Sequence, residues 1–81
     1  MMRITVEYYG LLRQLMGAER TDVELNGTTI AEALDQLCRQ QPLLAEQLPR
    51  VACAIGCELV GREGRLTDGC TLVLIPPVSG G

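Results

Sequence analysis

Apolar and polar residues begin to alternate within the first few positions of the chain. In Arg3-Ile4-Thr5-Val6-Glu7-Tyr8-Tyr9, the residues Ile4, Val6 and Tyr8 occupy every second place, the period of a strand with one buried face. Gly10 ends that run. Leu11 to Met16 shifts to helical spacing, and Gly17 stands where a C-terminal glycine stops a short helix. Alternation returns over residues 20–25 with Thr21, Val23 and Leu25 on one face, and Asn26-Gly27 marks a turn. The clearest element follows. Thr29-x-x-Glu32 has the form of a capping box, in which the hydroxyl accepts a backbone N–H one turn in and the carboxylate reaches back. Ile30, Ala33, Leu34, Leu37 and Gln41 fall at i, i+3, i+4, i+7 and i+11, so four apolar side chains share a face. Pro42 prevents the helix from continuing, and Leu43 to Leu48 predicts one further short turn before Pro49.

In the C-terminal third, Val51-Ala52-Cys53-Ala54-Ile55 is apolar at every position, which predicts a strand covered on both faces. Gly56 permits a turn, Leu59-Val60 reads as a brief returning strand, and residues 61–64 form a loop. Asp68-Gly69 is a tight turn before the last strand, Thr71 to Ile75. Pro76-Pro77 ends that strand, because neither proline donates to a ladder. The order β-β-α-β-(β)-β with a single long helix predicts an α+β fold, a mixed sheet with the main helix packed on one face. The first and last strands are expected at its centre, side by side and parallel. That is the β-grasp, or ubiquitin-like, arrangement. The expected organisation is a domain over residues 1–77 and an extended, flexible Gly-Gly tail over residues 78–81.

Composition narrows the picture. Eighty-one residues make one domain, which buries roughly 60–65% of the surface its unfolded chain would expose and leaves little room for a deep pocket. A hydrophobic content of 47% argues for a folded core, and with Tyr8 and Tyr9 as the only aromatics that core must come from Leu, Val, Ile, Ala and Cys. The net charge is −3. The seven cations are scattered arginines, so neither a basic patch nor stacking platforms exist for nucleic acid. The absence of lysine means that no second carrier can be attached to a side-chain amine. No apolar run approaches the roughly 18–20 residues of a membrane span. The alternating N-terminus does not have the form of a signal peptide, so no membrane partner is expected and the cytoplasm is the expected compartment. Cys38, Cys53, Cys57 and Cys70 are accordingly read as reduced thiols filling the core or lying at the surface. Cys53-x3-Cys57 lacks zinc-knuckle spacing and no histidine is available, so no metal site is expected.

The absence of histidine also removes Ser-His-Asp and Cys-His chemistry, and neither a phosphate-binding glycine loop nor a dinucleotide fingerprint is present. Acidic residues are spread without an evident pair. No base or cation that would activate a thiol is expected beside Cys53, Cys57 or Cys70. What remains is the end, Ile75-Pro76-Pro77-Val78-Ser79-Gly80-Gly81. Two prolines stiffen the exit from the sheet. Extended, Val78 to Gly81 reach about 13–14 Å beyond it, and the last two residues carry no Cβ, so a narrow channel admits them. The expectation is that Gly81 carries a free carboxylate. Adenylation by ATP turns such a group into a mixed anhydride, which a sulfur nucleophile converts to a thiocarboxylate.

These residues resemble the MoaD/ThiS ubiquitin-like sulfur-carrier family, and within it the molybdopterin synthase small subunits. The resemblance covers the whole chain. It is most specific in Leu66-Thr67-Asp68-Gly69, the apolar strand and Pro76-Pro77-Val78-Ser79-Gly80-Gly81; Val6 to Arg13 with Gly17, and Thr29 to Leu37, match the family's first strand, short helix and main helix. The chain departs from the family at Gly56, where Asn is frequent, at Cys70-Thr71, where an acidic pair is frequent, and in having no phenylalanine. The resemblance implies that Gly81 is adenylated by an E1-like enzyme and converted to the thiocarboxylate. It implies that Val78, Ser79 and Gly80 insert into the large subunit of molybdopterin synthase, in a heterotetramer. Sulfur then passes to cyclic pyranopterin monophosphate for molybdenum cofactor synthesis. The chain is a sulfur donor without catalytic side chains of its own. It binds no cofactor, ATP being consumed by the activating enzyme. Leu59, Ile75, Pro76, Pro77 and Val78 are the candidates for partner contact. The alternatives are a carrier for thiamine thiazole, cysteine or another thiolated product, a protein modifier joined to lysines through Gly81, and a β-grasp interaction module with an inert tail. The proline pair favours the molybdopterin reading over the thiazole one.

Overall fold

The alternation of the first strand is realised in β1 (Met2–Tyr8), where Ile4, Val6 and Tyr8 are buried. The computed structural model describes residues 1–77; the tail assigned to residues 78–81 lies outside them. From β1 the chain turns through α1 (Leu11–Met16), which ends at Gly17 with φ 70 and its N–H donating to Arg13 O at 2.9 Å. β2 (Arg20–Leu25) returns antiparallel to β1 and buries Val23 and Leu25. Next comes α2 (Ile30–Gln40), whose Ile30, Ala33, Leu34 and Leu37 are all buried. Ile30, Leu34 and Leu37 each stabilise the fold by about 1.5–3 kcal/mol. The capping box forms as expected. Thr29 Oγ1 accepts from Glu32 N at 3.2 Å, and Glu32 Oε1 accepts from the backbone N–H groups of Thr28 and Thr29 at 2.8 and 3.0 Å. Pro42 ends the helix, and the expected short turn appears as α3 (Leu43–Gln47) with a 3-10 turn over Leu48–Arg50.

β3 (Ala52–Ile55), β4 (Glu58–Val60) and β5 (Thr71–Ile75) complete a five-stranded sheet in the order β2-β1-β5-β3-β4. β1 and β5 are central and parallel, with Val6 beside Leu72 and Tyr8 beside Leu74; β3 is antiparallel to β5. This is the β-grasp topology. The Asp68-Gly69 turn fixes the central pair. Asp68 Oδ1 accepts from Arg3 N at 2.8 Å, Gly69 N donates to Arg3 O at 2.7 Å, and Thr5 N donates to Cys70 O at 3.0 Å. The inner face of the sheet and α2 share one apolar cluster with Leu12, Leu44 and Leu66.

One expectation is corrected. The apolar segment from Val51 to Ile55 is not covered on both faces, because Ala52 is exposed. Cys53 faces the core, whereas Ala54 points to the outer face and is buried between its cross-strand neighbours Val73 and Leu59. A small side chain is shielded there by larger ones beside it, and no second layer is needed.

Candidate functional site

The parallel pairing of β1 and β5 brings their C-terminal ends to one edge of the sheet, where the chain leaves through Pro76 and Pro77. Pro76 is half-buried and Pro77 exposed. The neighbouring corner from β1 into α1 is braced by Arg13, whose Nε donates to Tyr8 O at 3.0 Å. Its guanidinium also lies over the Tyr9 ring, 5.4 Å from the centroid. Beneath the corner, Tyr8 is fully buried. Burial pushes its phenol above the usual range, with the Thr21 side chain opposing the shift, yet the hydroxyl has no well-formed hydrogen bond. The tail residues Val78, Ser79, Gly80 and Gly81 lie outside the described residues.

Strand register lays out the outer face row by row. One row runs Leu59, Ala54, Val73, Glu7, Arg20, and the next places Ala52 beside Ile75. The face is therefore apolar over β5, β3 and β4 and charged over β1 and β2, where Arg20 pairs with Glu7 at 3.7 Å and Arg3 with Glu24 at 2.8 Å. Leu59 is 72% exposed and so is not a core residue, while Ile75 is half-buried. The structure thus brings Leu59, Ile75, Pro76 and Pro77 to the outer face and exit edge. Tyr9 is a residue that the sequence reading of this surface missed. It follows Glu7 by two places and is 45% exposed beside the exit. Its place in an alternating run is the available signal, since the residues between the buried ones face outward.

The cysteines are free; Cys53 is buried, Cys57 exposed, and Cys38 and Cys70 pack against the core. The expectation that no cation stands beside them is overturned at Cys53. Arg62, nine residues away in sequence, donates to Cys53 Sγ at 2.9 Å and to the carbonyls of Leu48 and Val51 at 2.7 and 2.9 Å. Burial pushes the Cys53 thiol up and Arg62 opposes it, leaving the group above its ordinary value. The Cys38 thiol is likewise raised, by burial and then by Asp35. These are poorly ionised thiols, unsuited to nucleophilic work. Among the described residues no group of three His, Cys, Asp or Glu side chains converges on a metal position, and no helix is long and apolar enough to cross a membrane. A cleft of about 240 Å³ at the start of α2 is lined by Glu32, Asp35 and Arg39. Glu32 is already engaged in the capping box there, and Asp35 pairs with Arg39 at 3.0 Å.

Residues 6–81 match the ThiS family. The chain belongs to that family. Two relatives are named molybdopterin synthase sulfur carrier subunit. The one from Mycobacterium tuberculosis is 32% identical over 83 residues, spanning 100% of both chains. The one from Escherichia coli is 33% identical over 81 residues, spanning 96% of this chain and 99% of the relative. SAMP1 from Haloferax volcanii shares the fold, with a TM-score of 0.86 at 24% identity over 98% of this chain and 99% of that one. A chain in the Helicobacter pylori complex of subunits 1 and 2 of molybdopterin-converting factor is 27% identical, with a TM-score of 0.72 over 99% and 100%. A chain in the BexX/CysO complex of Amycolatopsis orientalis is 28% identical, with a TM-score of 0.73 over 96% and 99%. This ThiS-family chain is therefore a ubiquitin-like β-grasp protein of the MoaD/ThiS type, and the family match extends through Val78, Ser79, Gly80 and Gly81.

Proposed function

We propose that this ThiS-family chain carries sulfur on the carboxylate of Gly81 as the small subunit of a molybdopterin synthase. In this reading an E1-like enzyme brings ATP to the tail. A carboxylate oxygen attacks the α-phosphorus and pyrophosphate leaves. A hydrosulfide-level sulfur then displaces AMP from the acyl carbon, giving the thiocarboxylate. The chain supplies no acid, base or bound cofactor to these steps, and ATP belongs to the activating enzyme. Val78, Ser79 and Gly80 thread the channel of the large subunit, where the sulfur passes to cyclic pyranopterin monophosphate.

The observation that carries the reading is the exit itself. A central, parallel-paired β5 runs into Pro76-Pro77 beside an apolar outer face bearing Leu59 and Ile75. The names of the two relatives support the molybdopterin pathway. The likeness to a chain of the BexX/CysO complex favours a second reading, in which the same tail chemistry serves another sulfur acceptor.

Intact mass is the test. After incubation with ATP, a sulfur source and an E1-like enzyme, the chain is expected to gain about 16 Da, one oxygen replaced by sulfur at the Gly81 carboxylate. The gain is expected to vanish on deletion of Gly81 or addition of a residue after it, with the fold intact, and Gly80→Val is expected to block adenylation by clash where the activating enzyme receives the tail. Sulfur transfer retained by the Gly81 deletion would sink the carrier mechanism. Transfer to an acceptor other than the pyranopterin would select the second reading.

A further inference from the structure

Pro76 is the first residue past β5, and with no N–H it cannot extend the ladder onto β1. Something other than a hydrogen bond must fix the direction of the chain at that point. The parallel register supplies the candidate. Tyr8 pairs with Leu74, so two residues further along each strand Gly10 comes to stand against Pro76. Gly10 has φ 54 and ψ −131, a region that side chains rarely adopt. A Cβ built there would lie 3.1 Å from Pro76 Cγ, so the proline ring would have to give by a few tenths of an ångström. The seat is held from its other side. Gly10 O accepts from Arg13 N at 3.1 Å, and the Arg13 side chain donates to Tyr8 O at 3.0 Å. The glycine makes no side-chain cap for α1.

We infer that Gly10 is a positioning residue for the tail: its bare α-carbon seats the Pro76 ring and thereby sets the direction in which the chain leaves β5. This rests on the sulfur-carrier reading for its consequence, though not for its geometry. Four residues drawn out fully beyond Pro77, as a narrow channel would hold them, would span about 13–14 Å, and a swing of roughly 20° at the root would displace the far end of such a span by about 4–5 Å. Misplacement of reacting atoms by even 1 Å costs up to about 100-fold in rate. A displaced root therefore slows adenylation without weakening the contact made by the outer face.

The test compares Gly10→Ala and Pro76→Ala with Pro77→Ala as control. Residual dipolar couplings of the Pro77 Cα–Hα bond, referenced to β5 amides in the free chain, read the exit direction. Steady-state adenylation by an E1-like enzyme and ATP reads the consequence. Gly10→Ala and Pro76→Ala are each expected to reorient Pro77 and to lower kcat about tenfold; for Gly10→Ala, which removes no candidate contact, the Kd for the enzyme is expected to stay within about twofold of wild type. Pro77→Ala is expected to leave the orientation of β5 and residue 76 unchanged. Should Gly10→Ala fail to fold, Pro76→Ala decides, since it removes the ring without straining residue 10. Unchanged couplings, unchanged kcat despite reorientation, or a loss of kcat/KM explained wholly by weaker binding each overturns the inference. A wild-type chain that is never adenylated sinks the carrier reading instead, and the couplings then decide the Gly10 seat alone.

Discussion

Arg62 ties three segments together through one guanidinium, and it is the residue whose role the sequence hid most completely. Its partners are the carbonyls of Leu48 and Val51 and the thiol of Cys53. The first two close the 3-10 turn, and the third lies in β3. Leu48 O also accepts from Val51 N at 3.1 Å, so Arg62 is its second donor; a half-buried cation contributes about 1.5–3 kcal/mol per charged hydrogen bond at most. Arg62→Met, which keeps the aliphatic stem and removes the donors, is expected to cost about 2 kcal/mol, read as a lower urea midpoint at unchanged m-value. A midpoint equal to wild type would mean that water satisfies those carbonyls equally well. No periodicity or motif signals this contact, because its partners lie nine to fourteen positions away in an irregular segment. The Gly10–Pro76 contact was hidden for the same reason. Both residues were read as punctuation within their own elements, and only the parallel pairing of β1 with β5 brings them together.

At the scale of the element, legibility follows from how local the determinants are. β1, β2 and α2 were legible because each combines a clean period with a local stop: Gly10, Asn26-Gly27 and Pro42. β3 was misjudged because an unbroken apolar run looks the same whether a second layer or merely larger neighbours cover its outer side. The capping box of α2 is local enough to have been read outright, and it makes a pH prediction. The backbone N–H groups of Thr28 and then Thr29, followed by the Thr29 hydroxyl, hold the Glu32 carboxyl below its ordinary value. A depressed folded-state value means that this contribution is present above the ordinary carboxylate range and is lost as pH falls through the lowered value. Wild type is therefore expected to lose stability on acidification through that window. Glu32→Gln retains a reciprocal cap but has no proton to take up, and is expected to show a shallower dependence. Urea midpoints of the two chains measured from neutral pH down to about pH 3 compare them; parallel curves would show that other carboxylates dominate.

For the whole molecule, the question is how so small a surface holds a partner. A stable interface buries about 800 Å² on each side. The apolar half of the outer face rests on Leu59, Ala54, Val73, Ala52 and Ile75, with Tyr9 at the exit edge, several of them only partly exposed. In the sulfur-carrier reading proposed above, face and tail act together, the face supplying residence and the tail supplying both additional buried area and the reacting carboxylate. That division makes the two separable. Leu59 is 72% exposed, so Leu59→Asp should change the stability of the free chain by no more than about 0.5 kcal/mol. In a complex the same substitution places an unpaired charge against apolar surface, a penalty of about 1–3 kcal/mol. That corresponds to roughly 5- to 150-fold in Kd for the large subunit. Glu24→Gln, on the charged side of the same face, is the control and is expected to leave the Kd nearly unchanged. Deleting Gly81 should show the opposite pattern, with binding largely kept and sulfur transfer lost. Calorimetric titration of the large subunit with the three variants, beside thermal melts of each alone, reads both quantities. If Leu59→Asp binds as tightly as wild type, the outer face is not the docking surface, and the tail alone must account for the affinity.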